Sequence, residues 1–175
     1  VGRLYLASSD DRGHTWSQAK VIVDNEGLDD VGMGIVATPD GELLINYYSR
    51  FGPSGSRSQA WFTRSRDGGL SWEPSVPTSA EDTRSRGAPL VMSDGSILVP
   101  IYRSMFSDAG HQSIAAVSVD GGHTWSNHCV PNTPNGEANE WTALEVEPGR
   151  IIGLHRVEGK ENAGYLWKTE SRDRG

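Results

Sequence analysis

One eight-residue segment recurs along this chain and limits the folds open to it. Ser9-Asp10-Asp11-Arg12-Gly13-His14-Thr15-Trp16 returns as Ser65-Arg66-Asp67-Gly68-Gly69-Leu70-Ser71-Trp72 and as Ser118-Val119-Asp120-Gly121-Gly122-His123-Thr124-Trp125. A fourth copy opens at Ser171-Arg172-Asp173-Arg174-Gly175. Asp11, Asp67, Asp120 and Asp173 are 56, 53 and 53 residues apart. A second turn signal keeps the same period: Pro39-Asp40-Gly41, Ser93-Asp94-Gly95 and Pro148-Gly149 place their glycines 54 and 54 residues apart. Two independent markers with one period identify a repeat architecture.

Apolar runs of strand length surround each marker. Gly41 lies between Ile35-Val36-Ala37 and Leu43-Leu44-Ile45, and Gly95 between Pro89-Leu90-Val91-Met92 and Ile97-Leu98-Val99. Ala60-Trp61-Phe62-Thr63 and Ile114-Ala115-Ala116-Val117 lead into the second and third segments, and a weaker strand follows each Trp. Four strands per unit of roughly 54 residues, with β-branched and aromatic enrichment, predict an all-β chain of four-stranded antiparallel blades in a β-propeller. The expectation is about thirteen strands, or about three blades, in one partial propeller domain spanning residues 1–175. In the recurring segment the Asp carboxylate can accept turn N–H groups, Gly takes positive φ, and Trp packs between neighbouring strands. That is a structural role, and it recurs in every blade. A single active site or calcium site would need only one such set.

Composition removes several classes of function. The formal net charge is −7 with both signs mixed along the chain, which argues against nucleic acid as a partner. No apolar run approaches the length of a membrane helix, so no membrane insertion is expected. Cys129 is the single cysteine, which excludes an intrachain disulfide and a cysteine zinc site. The five histidines share no metal-ligand spacing, and neither a nucleophile elbow nor a phosphate-binding glycine loop is present, so no metal and no cofactor are expected. His14 and His123 are expected to be exposed in their turns.

Glu140 and Arg156 stand out for chemistry. They are equidistant from Pro148, the centre of a hairpin, so they should oppose one another at its open end, roughly 5–8 Å apart at Cβ. Such a pair is either an ordinary exposed ion pair, worth about 0–1 kcal/mol, or part of a site. The repeat bears on the choice. The positions equivalent to Glu140 are Gly32 and Arg86, and those equivalent to Arg156 are Tyr48 and Tyr102. A structural pair would be expected to recur in other blades, and this one does not.

The recurring segments resemble the Asp boxes, or BNR repeats, of the sialidase superfamily, including the family 33 glycoside hydrolases. Gly87–Pro100 looks like the third-blade segment of those enzymes, and Asn139-Glu140-Trp141 through Arg156 is similar to a hairpin that carries two of their functional residues. The resemblance implies a six-bladed ring when complete, of which this chain is a part. It also implies that Glu140 is the general base activating a tyrosine nucleophile, and that Arg156 is one arm of a clamp on a sugar carboxylate. Arg suits that task because its planar fork gives two parallel charge-assisted bonds. A neutral tyrosine suits an anionic substrate better than a carboxylate nucleophile would. Arg86 and Tyr102, at strand ends facing the same mouth, are further candidates for substrate binding, with Arg103 and Tyr48 near them. Asp29 and Asp30 are loop carboxylates that could offer an acid. The family's first triad Arg has no match here. Its acid Asp normally precedes the first box, and its Tyr nucleophile and third Arg normally follow the fourth.

Three functional readings follow. One is a sialidase-like exo-glycosidase, or a piece of one, acting on terminal sialic acid or a related acidic sugar and inactive as an isolated chain. Another is a non-catalytic glycan-binding or structural module. The third is a half-propeller that pairs with a second copy to complete a ring, because open blades leave sheet edges and apolar faces uncovered. By the resemblance alone, a secreted or periplasmic location is implied.

Overall fold

The computed structural model describes residues 1–79, 82–103, 110–132, 137–158 and 165–173. Four antiparallel sheets follow one another along the chain. The first pairs β1 (Leu4–Leu6) with β2 (Lys20–Val23). The second runs β3 (Asp29–Ala37), β4 (Leu43–Phe51), β5 (Arg57–Ser65) and β6 (Val76–Pro77). In the third, β7 (Thr83–Ser85) and β8 (Leu90–Val91) both pair with β9 (Ile97–Arg103), followed by β10 (Gln112–Ser118) and β11 (Ser126–Cys129). The fourth runs β12 (Glu137–Glu147), β13 (Arg150–Glu158) and β14 (Leu166–Ser171). Counting β7 and β8 as one interrupted strand, the described residues form thirteen strands. The turn glycines Gly41, Gly95 and Gly149 take φ of 91°, 85° and 77°, as the second marker predicts.

The core lies between consecutive sheets. Leu4 and Val23 of the first sheet meet Ile45 and Tyr47 of the second. Leu44, Ala60 and Phe62 meet Ile97, Val99, Ile101 and Ala116 of the third. Met92, Leu98 and Ala115 meet Trp141 and Ile151 of the fourth. Side chains alternate along a strand, so Ile45 faces one neighbour while Leu44 faces the other. Sheets covered on both faces need nearly continuous apolar runs, which is why Leu43–Tyr48 and Ile97–Tyr102 carry so little polarity. Full burial of side chains such as Leu44, Leu98 and Ile101 contributes about 1.5–3 kcal/mol each.

The box turns are built as their sequence requires. Thr15 N–H donates to Asp11 Oδ1 at 2.8 Å, Ser71 N–H to Asp67 Oδ1 at 2.9 Å, and Thr124 N–H to Asp120 Oδ1 at 2.9 Å. The box serine accepts from the glycine N–H at 2.8, 2.8 and 2.7 Å in the three turns. These bonds, led by the Thr15, Ser71 and Thr124 hydroxyls, hold the three carboxylates well below the usual range. In the fourth copy Ser171 Oγ donates to Asp173 at 2.6 Å, while Arg174 and Gly175 lie outside the described residues. His14 and His123 are exposed.

The tryptophans behave unequally. Trp125 packs edge-on against Phe62 of the preceding sheet at 5.2 Å, and Trp72 joins the cluster of Leu4 and Val23. Trp16 departs from the expectation and is 64% exposed. Trp72 and Trp125 reach back to the sheet before their own, and among the described residues no sheet precedes that of Trp16.

Candidate functional site at the mouth between the third and fourth sheets

The inner strands share an irregularity at one repeat position. Pairing of β3 with β4 shifts between Gly32 and Gly34. The strand of the third sheet is interrupted between Ser85 and Leu90. Pairing of β12 with β13 shifts between Ala138 and Trp141, so that Asn139 and Glu140 together oppose Arg156. Arg86 and Glu140 sit within the last two breaks, while Gly32 flanks the first and keeps its ladder partner Tyr47. Such irregularities free a residue from the ladder and re-aim its side chain.

Close packing fixes the two breaks against one another. A side chain at Gly87 would lie 2.9 Å from the Trp141 carbonyl oxygen, so glycine is required where the inner strands meet. Asn46 Nδ2 donates to the Gly87 carbonyl at 2.7 Å, and Trp141 Nε1 donates to the Ile101 carbonyl at 2.8 Å. Beneath Arg156, His155 is fully buried. It stacks on Trp141 at 4.9 Å and bonds Ser113 Oγ at 2.9 Å and Thr169 Oγ1 at 2.7 Å. Burial lowers its pKa to about 4, so the imidazole is neutral at pH 7.

On this base the structure brings together Glu140, Arg156, Arg86 and Tyr102. Arg86 Nε lies 3.1 Å from Glu140 Oε1, and Arg156 Nη1 lies 3.7 Å from the same oxygen. Arg86 also donates a hydrogen bond to the Tyr102 hydroxyl. Burial pushes the Tyr102 phenol above its ordinary pKa, against the opposing pull of Arg84 and Arg86. A neutral phenol results, suited to hydrogen bonding. Arg156 turns its other nitrogen to Glu158 Oε1 at 2.8 Å.

The other sequence candidates fall elsewhere. Tyr48 is buried under the Arg84 guanidinium, whose carbon stands 5.6 Å above its ring. Arg103 ends β9 opposite Thr83 and Gln112. Asp29 accepts from the Gly2 N–H and from Arg50, in that order of effect, and both hold it ionised, which is wrong for a proton donor. Asp30 is buried and accepts from Asn25 and Ser49. Sequence reasoning passed over Arg84, Glu158 and His111. His111 Nε2 lies 3.3 Å from Glu158, and its ring is 6.3 Å from Tyr102. Glu158 was open to detection, since it is two residues along β13 from Arg156 and shares its face.

A groove of about 540 Å³ lies away from this mouth, between Leu98 and Ala115 of the third sheet and Ile151 and Gly153 of the fourth. Ala115 is the repeat equivalent of Phe62, so the groove occupies the place that Trp125 fills one blade earlier. Its lining contains none of the four mouth residues.

Comparison with known proteins agrees with this architecture. The family model described as BNR repeat-like domain matches residues 3–175. A curated sialidase from Paraclostridium sordellii is 24% identical over 190 residues, covering 91% of this chain and 46% of the relative. The chain therefore spans about half the length of that relative. Among solved structures, a protein of unknown function from Dyadobacter fermentans DSM 18053 superposes with a TM-score of 0.81 at 20% identity, over 99% of this chain and 56% of its own. The Hadza microbial sialidase Hz136 gives a TM-score of 0.80 at 20% identity, over 99% of this chain and 39% of its own. The described sheets are thus blades of a sialidase-type β-propeller, and the chain belongs to the BNR repeat-like domain family, with sialidases among its homologues.

Proposed function

We propose that this chain contributes two blades' worth of a glycan site that grips the carboxylate of a terminal sialic acid or a related acidic sugar, within a larger exo-glycosidase ring. The observation that carries the reading is the Glu140 carboxylate held between Arg86 and Arg156 at adjoining strand breaks. Arg156 presents a guanidinium that is 55% exposed and therefore reachable by a ligand. Arg86 adds a second, and Tyr102 a neutral hydroxyl beside it. Glu140 would take the proton of a tyrosine nucleophile supplied by another part of the ring. Tyr102 does not fit that part, because its buried phenol resists ionisation and accepts a bond from Arg86.

A second reading, a non-catalytic glycan-binding module, draws support from the same carboxylate. Glu140 is engaged by two arginines here, an arrangement for binding as much as for proton transfer. Both readings meet one experiment. The chain is titrated with an α-methyl sialoside and with its carboxyl methyl ester, and assayed with a fluorogenic sialoside. Weak binding of the acid over the ester, without turnover, is expected. Equal binding of acid and ester would remove the carboxylate clamp, and turnover lost on Glu140→Gln would place a complete site in this chain.

A further inference from the structure

Glu140 and Arg86 are the same repeat position on adjacent blades, and their side chains meet at the solvent-facing mouth. One oxygen, Oε1, serves both guanidiniums, with Arg86 Nε at 3.1 Å and Arg156 Nη1 at 3.7 Å. The side chains are 41%, 28% and 55% exposed for Arg86, Glu140 and Arg156, so the cluster opens to solvent. Arg84 stands nearby over Tyr48, and Glu158 neutralises part of Arg156. We propose that Glu140 is an internal stand-in for the ligand carboxylate: it holds Arg86 and Arg156 in a spread suited to one carboxylate, and an incoming acid must displace it. Arg86 thereby becomes the second arm of the clamp. The inference rests on the reading of the mouth as an acidic-sugar site.

Two guanidiniums facing one gap repel each other unless an anion lies between them, and Glu140 supplies that anion at no cost in association entropy. A ligand carboxylate gains only the difference between its own contacts and those it displaces. Removing the charge while keeping the shape should therefore strengthen anion binding. A residue serving only as a proton acceptor would leave binding unchanged.

The test uses acetate, which carries the carboxylate without the sugar, and acetamide as the neutral control. Binding is followed on the arginine Nε–Hε resonances of the whole chain. Acetate is expected to bind Glu140→Gln about two- to fivefold more tightly than wild type, the scale of one partly exposed ion pair. Arg86 and Arg156 should both shift, and acetamide should move neither. Glu140→Ala should show the same gain, and adding Arg86→Ala to Glu140→Gln should undo it. Equal acetate affinity in wild type and Glu140→Gln overturns the stand-in. A response at Arg156 with Arg86 still overturns the second arm. If acetate behaves as expected while the sialoside binds no better than its ester, the sugar reading fails and the stand-in survives.

Discussion

Arg86 and Glu140 occupy one repeat position on neighbouring blades, 54 residues apart in sequence and 3.1 Å apart at their charged atoms. The pair exists because both inner strands break there and because Gly87 lets them approach. Its contribution to folding should be small, since both groups are partly exposed. A double-mutant cycle on Arg86→Ala and Glu140→Ala, read by denaturant unfolding, is expected to give a coupling of about 0.2–1 kcal/mol. A coupling above about 2 kcal/mol would make the pair a structural lock and weaken the case for a site.

Gly13 and Gly122 pose one backbone problem in two surroundings. Both have positive φ, 88° and 92°. A Cβ at Gly13 meets only Trp16 at 3.7 Å, whereas one at Gly122 would overlap the Phe62 ring. Gly13→Ala should cost about 1 kcal/mol, the backbone penalty alone. Gly122→Ala should add an overpacking cost of about 1–3 kcal/mol. Equal losses on thermal unfolding would show that the third box does not press on the second sheet.

Acid should act in two windows. His155 has a folded pKa near 4 against an ordinary value of 6.5, so the unfolded chain binds its proton first. Stability is therefore complete above about pH 6.5 and falls as pH drops toward 4, by at most about 1.4 kcal/mol per unit. The box aspartates, with depressed folded pKa values, lose their contribution only below the usual carboxylate range. Melting temperatures measured from pH 7 to about 2 should fall in both windows, and His155→Gln should flatten the upper one. An unchanged upper slope in that variant would assign it to another group.

The end sheets leave apolar surface uncovered. Leu144 and Leu154 share one face of the fourth sheet with Leu166, at 60%, 43% and 69% exposure. On the first sheet Tyr5, Trp16 and Val21 are exposed. Association with a second copy is expected, and light scattering should give a mass above the 19.0 kDa of one chain. A monodisperse monomer at tens of micromolar would count against the half-propeller pairing.

The repeat was legible because its cause is local: an Asp, a Gly and a Trp within eight residues close the same turn wherever they occur. The opposition of Glu140 and Arg156 was legible in part, since the turn at Pro148-Gly149 places the hairpin, but the register reaches Arg156 only through a shift between Glu145 and Glu147. The strand breaks were not. A bulge at Asn139-Glu140 leaves no periodic trace in eleven residues of strand, and the gap from Arg86 to Pro89 shortened a run expected to span Pro89–Met92. The meeting of Arg86 with Glu140 also depends on how closely adjacent blades approach, which neither segment encodes alone. Trp16 failed the packing expectation because its partner surface must come from another sheet.

The common break in the inner strands separates two demands that compete in most sheets. Residues 86 and 140 stand outside the ladder, so exchanging arginine or glutamate there leaves the hydrogen-bonding frame intact. These two blades thus each offer one replaceable tooth at the rim, and a change of ligand needs new teeth while the wheel stays the same.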